Sequence, residues 1–159
     1  MQKSSPEPPA THSAIHDLGR HGEDLAAAFL LQIGFQIVAS NFTIPVGRNR
    51  IDAVVNAEID LVAYEGPTLC FVEVKTRTSD WFAAPSANVD LRKQRQIVRA
   101  AHAYRRMFGL TNTACRYDVV SIVLPRAEEG PRSLEIELLR NFWSEEKFRK
   151  RRWPERYWD

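Results

Sequence analysis

Two stretches of the chain repeat their apolar residues with the period of a helix. Over residues 17–33, leucine, phenylalanine and isoleucine side chains recur at helical spacing, and Gly34 follows as a helix stop. A second stretch with this spacing covers residues 89–108 and is followed by Gly109. We therefore predict two helices, separated by a region with a different pattern.

Five other segments are rich in β-branched and aromatic residues, which is typical of strands. Residues 65–67, Glu-Gly-Pro, predict a turn between the second and third segments, so these two form a hairpin. Pro45 and Gly47 predict a loop over residues 43–50. The predicted strands cover residues 35–40, 51–64 (with a break near residue 56), 68–74, 117–124 and 134–139.

The order helix, three strands, helix, two strands indicates an α/β protein. It predicts a mixed central sheet with a helix on each face, or an α/β sandwich. The second helix can serve as a crossover connection, which allows the strands before and after it to pair in parallel. A chain of 159 residues fits one such domain.

The two ends of the chain differ in composition from the predicted domain over residues 17–142. Residues 1–16 are polar and contain Pro6, Pro8 and Pro9, which predicts a disordered leader and not a signal peptide. Residues 143–159 form a basic and aromatic C-terminal extension. No apolar run approaches the roughly 20 residues that span a bilayer. We therefore expect a cytoplasmic protein with no membrane partner.

Basic residues are concentrated in two places, although the formal net charge of +2 does not by itself argue for nucleic acid. In the extension they alternate with aromatic residues. Such a segment can contact phosphates and stack on unpaired bases, or it can pack on the domain or on a second subunit. The second concentration crowds the second helix and consists of Arg92, Lys93, Arg95, Arg99, Arg105 and Arg106.

Charged side chains interrupt both strands of the predicted hairpin. Side chains alternate across a strand, so Glu58 and Asp60 are expected to share a face. Glu73 and Lys75 share a face for the same reason. Their neighbours are apolar, and a divalent cation held by Asp60 and Glu73 would compensate the cost of burying charge; hard oxygen ligands suit Mg²⁺. The alternative is a cross-strand ion pair of Lys75 with Asp60 or Glu73.

Several separated motifs carry a resemblance to known proteins. They are Gly19-Arg-His-Gly22-Glu23, Gly34-Phe35, Glu58-Ile-Asp60-Leu-Val-Ala, Phe71-Val-Glu73-Val-Lys75-Thr-Arg77 and Arg116-Tyr-Asp118-Val-Val. An aspartate, a hairpin and then Glu-Val-Lys looks like the PD-(D/E)XK nuclease signature. The whole set resembles the YraN-like family, which is similar in core to archaeal Holliday-junction resolvases. The resemblance runs from about Leu18 to Phe142 and implies a restriction-endonuclease-like core.

The resemblance also implies a role for each matching residue. Asp60 and Glu73 would bind the metal, Mg²⁺ or Mn²⁺, with the Val74 carbonyl as a third ligand. Lys75 would be the catalytic lysine, which positions the attacking water and stabilises charge on the phosphate. Glu23 matches a helix acid that approaches the metal directly or through water. Its alternative is a solvent-facing acid favoured by the helix N-terminus.

Other polar residues match the family pattern with less definite roles. Glu58 is expected beside the metal, as a supporting acid. Lys93 and Gln94 match positions that point toward the active site or the phosphate backbone in related nucleases; the alternative is a solvated helix face. Asp118 is expected to cap or pair and not to catalyse. The residues predicted to bind nucleic acid are Arg77, Arg92, Lys93, Gln94 and Arg95.

The chain departs from the family pattern in three places. Residues 45–56 are longer than the usual short hairpin, Ala57 stands where glycine is usual, and residues 87–88 lack a common glutamate. None of these changes removes Asp60, Glu73 or Lys75, so the implied chemistry is retained.

Three functions follow from these observations. The first is a Mg²⁺-dependent nuclease that hydrolyses DNA phosphodiester bonds, at branched or damaged structures. The second is a catalytically silent nucleic-acid-binding module in repair or recombination. The third is a structural protein whose acidic cluster is an ion-pair network. Junction-resolving relatives act as dimers, which suggests a homodimer by analogy, and no small-molecule cofactor is expected.

Overall fold

The computed structural model describes residues 12–78, 88–125 and 134–149, with side chains described from residue 17 onward. Within these ranges the chain forms two α-helices, five strands and a C-terminal 3₁₀ helix. The elements are α1 (His12–Gln32), β1 (Gln36–Arg48), β2 (Val54–Glu65), β3 (Thr68–Thr78), α2 (Leu91–Met107), β4 (Cys115–Leu124), β5 (Glu135–Trp143) and the 3₁₀ helix (Glu145–Phe148).

The strands form one mixed sheet in the order β1-β2-β3-β4-β5. Neighbouring strands are antiparallel except β3 and β4, which are parallel and whose crossover contains α2. The two helices belong to separate apolar clusters on opposite faces of the sheet. This arrangement confirms the predicted mixed sheet with a helix on each face, and it is compatible with a restriction-endonuclease-like core.

The first core lies between α1 and one face of the sheet. Ala26 and Leu30 of α1 are fully buried, and they pack in one cluster with Leu61, Val72 and Val120. Burying a leucine or valine side chain contributes about 1.5–3 kcal/mol. This packing holds α1 against the middle of the sheet.

The second core lies between α2 and the opposite face. Ile97 and Tyr104 of α2 are buried with Phe71 and Val119, and the Tyr104 ring meets the Phe71 ring edge to face at a centroid distance of 5.9 Å. The opposite side of α2 faces solvent and carries its arginines. Among the described helices, none is both long and apolar enough to cross a membrane.

β1 continues through residues 43–48, so the loop predicted there was wrong. The strand pairs with β2 on both sides of Pro45 and Gly47, with a register shift between them. β1 is an edge strand, so the missing N–H of Pro45 breaks no second ladder. Gly47 adopts φ 151°, which glycine tolerates without strain.

The strand predicted from residue 51 begins instead at Val54. The Asn49 side-chain oxygen accepts hydrogen bonds from the Ile51 and Ala53 amides, each at 3.0 Å. Asp52 adopts φ 60°, a left-handed conformation that aspartate tolerates in turns. These local bonds make residues 51–53 a turn, although their composition is typical of a strand.

Both ends of the folded region extend beyond the predicted limits of 17 and 142. Residues 12–16 belong to α1, so the predicted leader is too long; residues 1–11 lie outside the described residues. Trp143 ends β5, is buried and stacks on Tyr117 at 5.2 Å between ring centroids. Phe148 packs against the α2 core, so the extension packs on the domain as far as it is described; residues 150–159 lie outside the described range.

Candidate metal centre

Two buried carboxylates lie where the β2–β3 ladder ends. Pairing between these strands runs up to Leu61 and Val72, and Asp60 and Glu73 are the next residue on each strand. The Asp60 carboxylate accepts a hydrogen bond from the Val74 amide at 2.7 Å. The Val74 amide therefore donates to the Asp60 side chain and not to a backbone carbonyl of β2. Asp60 is 9% exposed and Glu73 4% exposed.

The alternation of side chains along β2 is interrupted at Asp60. In a regular strand Ile59 and Leu61 would share a face, but Ile59 packs in the α2 core and Leu61 in the α1 core. On β1, Asn41 lies between the partners of these two residues and adopts φ 50°. The paired strands are thus distorted at this point, and a simple alternation does not continue from Glu58 through Asp60.

Glu73 is the centre of the local charge arrangement. Its two carboxylate oxygens lie 3.5 Å from the Lys75 and Lys93 ammonium nitrogens, respectively. Lys93 occupies the first turn of α2, which begins where Asp90 accepts its backbone amide at 2.8 Å. The Oε2 atom of Glu73 is buried and makes no hydrogen bond to the residues that the structure describes. Both ion pairs lie beyond hydrogen-bond distance, so the predicted Glu73–Lys75 alternative is present only as a loose pair.

Asp60 is poorly compensated by comparison. Burial, followed by the nearby Glu73 carboxylate, raises the pKa of Asp60 to about 8, while the Val74 amide and Lys93 act in the opposite direction. Two acids in one desolvated site disfavour each other's ionised form. Such a perturbed, partly uncompensated pair is typical of functional sites, although structural networks also produce shifts.

Asp118 provides a structural comparison within the same sheet. It is fully buried, and the Arg116 guanidinium donates to both of its oxygens at 2.9 and 3.0 Å. Its Oδ1 atom also accepts the Asn141 amide at 2.8 Å. The expectation that Asp118 pairs is therefore confirmed. The ion-pair network expected of a structural acid surrounds Asp118, whereas Asp60 has no guanidinium partner among the described residues.

Asn41 joins the two other acids of the predicted site. Its side-chain amide donates to Glu23 of α1 at 2.7 Å and to Glu58 of β2 at 3.2 Å. The Glu23 carboxylate also makes a small contribution to the raised pKa of Asp60. An open cleft of about 400 Å³ is lined by Gly19, Arg20, Glu23, Asn41 and Glu58.

The close approach of α1 to β3 positions Glu23. A Cβ atom on Gly22 would lie 1.9 Å from the Thr76 Oγ1 atom, so any larger residue would require the Thr76 side chain or α1 to move. The Gly22-Glu23 pair was noticed as a motif, but the role of Asn41 was not predicted. The only hint in the sequence was that asparagine tolerates a left-handed backbone. The hydrogen bond from Asn41 to Glu23 joins residues that are distant in sequence, so a local pattern does not reveal it.

The residues predicted to bind nucleic acid occupy different environments. Lys93 faces Glu73, whereas Gln94 is buried and donates to the Val89 carbonyl at 2.6 Å. Arg92 and Arg95 lie on the exposed side of α2. Arg77 is half-buried on β3, beyond Lys75 along the strand.

The donor set around Asp60 and Glu73 fits a hard cation with few protein ligands. The described residues contain no cluster of three Asp, Glu, His or Cys side chains arranged to hold a metal. Mg²⁺ usually keeps several waters and takes only one or two carboxylates. The Val74 amide faces Asp60, and the carbonyl of a strand residue projects to the same side as its amide. Two carboxylates and this carbonyl are therefore a sufficient protein contribution.

Comparisons with known proteins agree on one family. Residues 22–122 match the group described as "Uncharacterised protein family UPF0102". A UPF0102 protein of Prosthecochloris aestuarii is 39% identical over 132 residues, which cover 82% of this chain and 96% of the relative. A UPF0102 protein of Moorella thermoacetica is 39% identical over 110 residues, covering 69% and 83%. The chain therefore belongs to the UPF0102 family, which confirms the YraN-like family expected from its motifs.

Proposed function

We propose that this protein is a Mg²⁺-dependent nuclease of the PD-(D/E)XK type that hydrolyses DNA phosphodiester bonds. The observation that carries the proposal is the pair of buried carboxylates, Asp60 and Glu73, without full compensation by the protein. A buried charge is costly unless it is paired or coordinates a metal. The guanidinium at Asp118 is the compensation expected of a purely structural acid, and Asp60 lacks it.

Asp60, Glu73 and the Val74 carbonyl would hold Mg²⁺ or Mn²⁺, with Glu23 approaching from α1. When bound, the ion supplies Lewis-acid polarisation of the phosphate and lowers the pKa of the attacking water. The Val74 amide restrains the Asp60 carboxylate, which reduces the reorganisation needed for binding. Glu58 supports Glu23 through Asn41.

Lys75 and Lys93 would act on the substrate phosphate. Their side chains are about one-third exposed, so both can reach solvent while they neutralise Glu73. Positive charge placed where negative charge develops stabilises the transition state. Lys75 would also orient the attacking water, as the family resemblance implies. Lys93 adds a second cation, carried by α2.

The preference for branched or damaged DNA, and the expected homodimer, come from the resemblance to junction-resolving enzymes. They extend the proposal and are tested by the choice of substrates. A panel of labelled four-way junction, flap, duplex and single-stranded DNA of equal strand length would rank these structures. Preferential cutting of the junction by a dimer supports the analogy, and equal cutting of all four removes it.

The central experiment measures cleavage of this panel in Mg²⁺, Mn²⁺ and EDTA. Asp60→Asn, Glu73→Gln and Lys75→Met should each lower the rate by roughly a thousandfold, because each removes a ligand or a stabilising charge. Glu137→Gln, an exposed acid on β5, is the matched control and should cut normally. Circular dichroism checks that each variant is folded. Cutting that survives in all three site variants would overturn the proposal.

A binding module without cleavage activity is the second candidate, and the arginines on the exposed side of α2 favour it specifically. It predicts DNA binding that weakens steeply with salt and shows no turnover in any divalent metal. Charge reversal of Arg92, Lys93 and Arg95 together should weaken this binding. Unchanged affinity in that triple variant would exclude this surface.

A further inference from the structure

α2 has two polar surfaces, one that faces the candidate metal centre and one that is exposed to solvent. Lys93 reaches Glu73 at the candidate metal centre. Arg92, Arg95 and Arg99 are exposed and recur three and four residues apart, so they form one stripe along the helix. At 1.5 Å rise per residue, this stripe is roughly 10 Å long.

The arginine stripe forms the shared wall of two adjoining clefts. One cleft, of about 190 Å³, lies toward the β1–β2 hairpin and includes Arg48. The other, of about 540 Å³, lies toward the C-terminal 3₁₀ helix and includes Phe148 and Arg149. Because Arg95 and Arg99 line both clefts, the two adjoin on either side of the arginine stripe and form one arginine-lined surface. We call it the α2 groove, lined by Arg48, Arg92, Arg95, Arg99, Phe148 and Arg149.

Among the described residues, the groove carries more positive than negative charge. Within the described part of the chain, Arg92, Arg95 and Arg99 form no ion pair with a carboxylate. Arg48 pairs only with the exposed Asp52 at 3.5 Å. Like charges three or four residues apart destabilise a helix, and a bound polyanion would remove that cost. Guanidinium groups match phosphate oxygens in charge and geometry.

The far wall of the groove is held in a defined position. Glu145 of the 3₁₀ helix contacts the His102 ring nitrogen at 2.7 Å and accepts the Tyr117 hydroxyl at 3.0 Å. It also pairs with Arg149 at 3.6 Å. These contacts secure the 3₁₀ helix to α2 and β4. The groove is therefore formed before any ligand arrives.

Phe148 favours a nucleic-acid strand over an acidic peptide as the polyanion that binds this groove. Its ring is half-buried in the groove wall, and the Arg95 guanidinium and the Lys147 ammonium lie over it at 5.6 and 5.3 Å from the centroid, respectively. Alternating cations and aromatic rings are typical of surfaces that bind unpaired nucleotides, because the cations contact phosphates and the rings stack on bases. An acidic peptide would use the charges and has no base to place on the ring.

We propose that the α2 groove binds an unpaired nucleic-acid strand, with phosphates on Arg92, Arg95 and Arg99 and a base against Phe148. Arg92 directly precedes Lys93, so one end of the groove adjoins the candidate metal centre. This proposal deepens the proposed nuclease function. Delivery of the bound strand to the metal centre rests on that function. Binding in the groove itself requires no cleavage and can be measured separately.

The test measures binding of fluorescent oligothymidine and of an equally long duplex by anisotropy in EDTA, which excludes divalent metal. Arg95→Gln/Arg99→Gln should weaken oligothymidine binding by roughly tenfold and reduce the salt slope by about 0.7 per arginine. Arg50→Gln/Arg106→Gln removes the same charge from exposed arginines that line neither cleft, and its effect should be much smaller. Phe148→Leu keeps an apolar side chain in the core and should reduce the preference for single strands.

Equal losses in the two double variants would overturn the groove assignment, as would the absence of oligothymidine binding. Displacement of oligothymidine by polyglutamate at the same charge concentration would overturn the nucleic-acid assignment. An unchanged single-strand preference in Phe148→Leu would overturn the stacking contact. Metal-dependent cleavage of short substrates by the wild type, measured in parallel, reports on the proposed nuclease, whereas oligothymidine binding in EDTA reports on the groove alone.

Discussion

The carboxylate of Asp60 accepts the backbone amide of Val74 at 2.7 Å, across the point where β2 and β3 stop pairing. Asp118 does the same for the Asn141 amide at the junction of β4 and β5. The two buried aspartates therefore share a structural task and differ in charge compensation. This difference gives opposite expectations for the same substitution.

Asp60→Asn should stabilise the metal-free protein at pH 7 by about 2 kcal/mol, because burial and Glu73 raise the pKa of Asp60 to about 8, so the wild type must take up a proton there on folding and the variant does not. The asparagine oxygen can still accept the Val74 amide. Added Mg²⁺ should raise the melting temperature of the wild type and leave that of the variant unchanged. Thermal denaturation in EDTA and in Mg²⁺ measures both effects. A variant less stable than the wild type in EDTA would contradict our account of the site.

Asp118→Asn is the matched comparison and should destabilise the protein by about 1.5–3 kcal/mol, since it removes one of the two acids that pair with the half-buried Arg116. Mg²⁺ should stabilise this variant as much as the wild type. If both aspartate variants shift stability in the same direction, charge compensation does not separate the two sites.

The stability difference between wild type and Asp60→Asn should depend on pH. The pKa of Asp60 is raised from 3.8 to about 8 in the folded protein. A raised pKa means that the stabilising contribution is complete below about pH 4 and is lost as pH rises through about 8. In EDTA, the advantage of the variant should therefore grow across this window. Parallel stability curves between pH 4 and 8 would show that Asp60 titrates normally.

Gly22→Ala should destabilise the protein by roughly 1–3 kcal/mol, because the new methyl group meets the Thr76 side chain. The displaced α1 would also move Glu23, so metal affinity should fall with stability. Chemical denaturation and calorimetric Mn²⁺ titration measure the two effects. Adding Thr76→Ala removes the atom at 1.9 Å and should recover part of the loss.

Gly19→Ala controls for the helix propensity of alanine. Among the described residues, apart from its chain neighbours and the nearby helix backbone, no heavy atom lies within 4 Å of the position of its new Cβ atom. The substitution should leave stability unchanged or raise it by up to about 1 kcal/mol. A loss as large as that of Gly22→Ala would mean that neither effect comes from contact with Thr76.

Replacing Asn41 separates its backbone role from its side-chain role. Asn41→Gly and Asn41→Ala both remove the amide that holds Glu23 beside Glu58, so both should weaken Mn²⁺ binding several-fold because Glu23 is no longer positioned. A φ of 50° is strained for alanine but not for glycine, so the alanine variant should be about 1 kcal/mol less stable than the glycine variant. Calorimetry and denaturation test these expectations. Equal Mn²⁺ affinity in all three proteins would remove Asn41 from the site.

The elements with strong periodicity were predictable from the sequence. The cores of both helices, the β2–β3 hairpin and β4 have patterns set by burial on a known face, which is a local signal. The second half of β1 was not predictable in this way. Pro45 and Gly47 usually end a strand, and only the edge position of β1 in the assembled sheet accommodates them.

The candidate site shows the same division between local and nonlocal information. Asp60, Glu73 and Lys75 stand out because charges interrupt apolar strands. Asn41 does not, since it meets Glu23 through a contact that spans 18 residues of sequence. The α2 groove was foreseen in its helix and in the basic and aromatic extension that supplies Phe148 and Arg149. Tertiary packing alone specifies that these two meet and that Arg48 joins them.

The distortion at Asn41 has a consequence for self-association. β1 is a 13-residue strand at the edge of the sheet, and a regular strand of that length would be a template for pairing with other copies. Left-handed residues at Asn41 and Gly47 and the missing N–H of Pro45 divide this edge into short segments. An incoming strand therefore finds no long row of regular donors and acceptors. The left-handed backbone beside the acidic site therefore also disfavours aggregation through this edge strand.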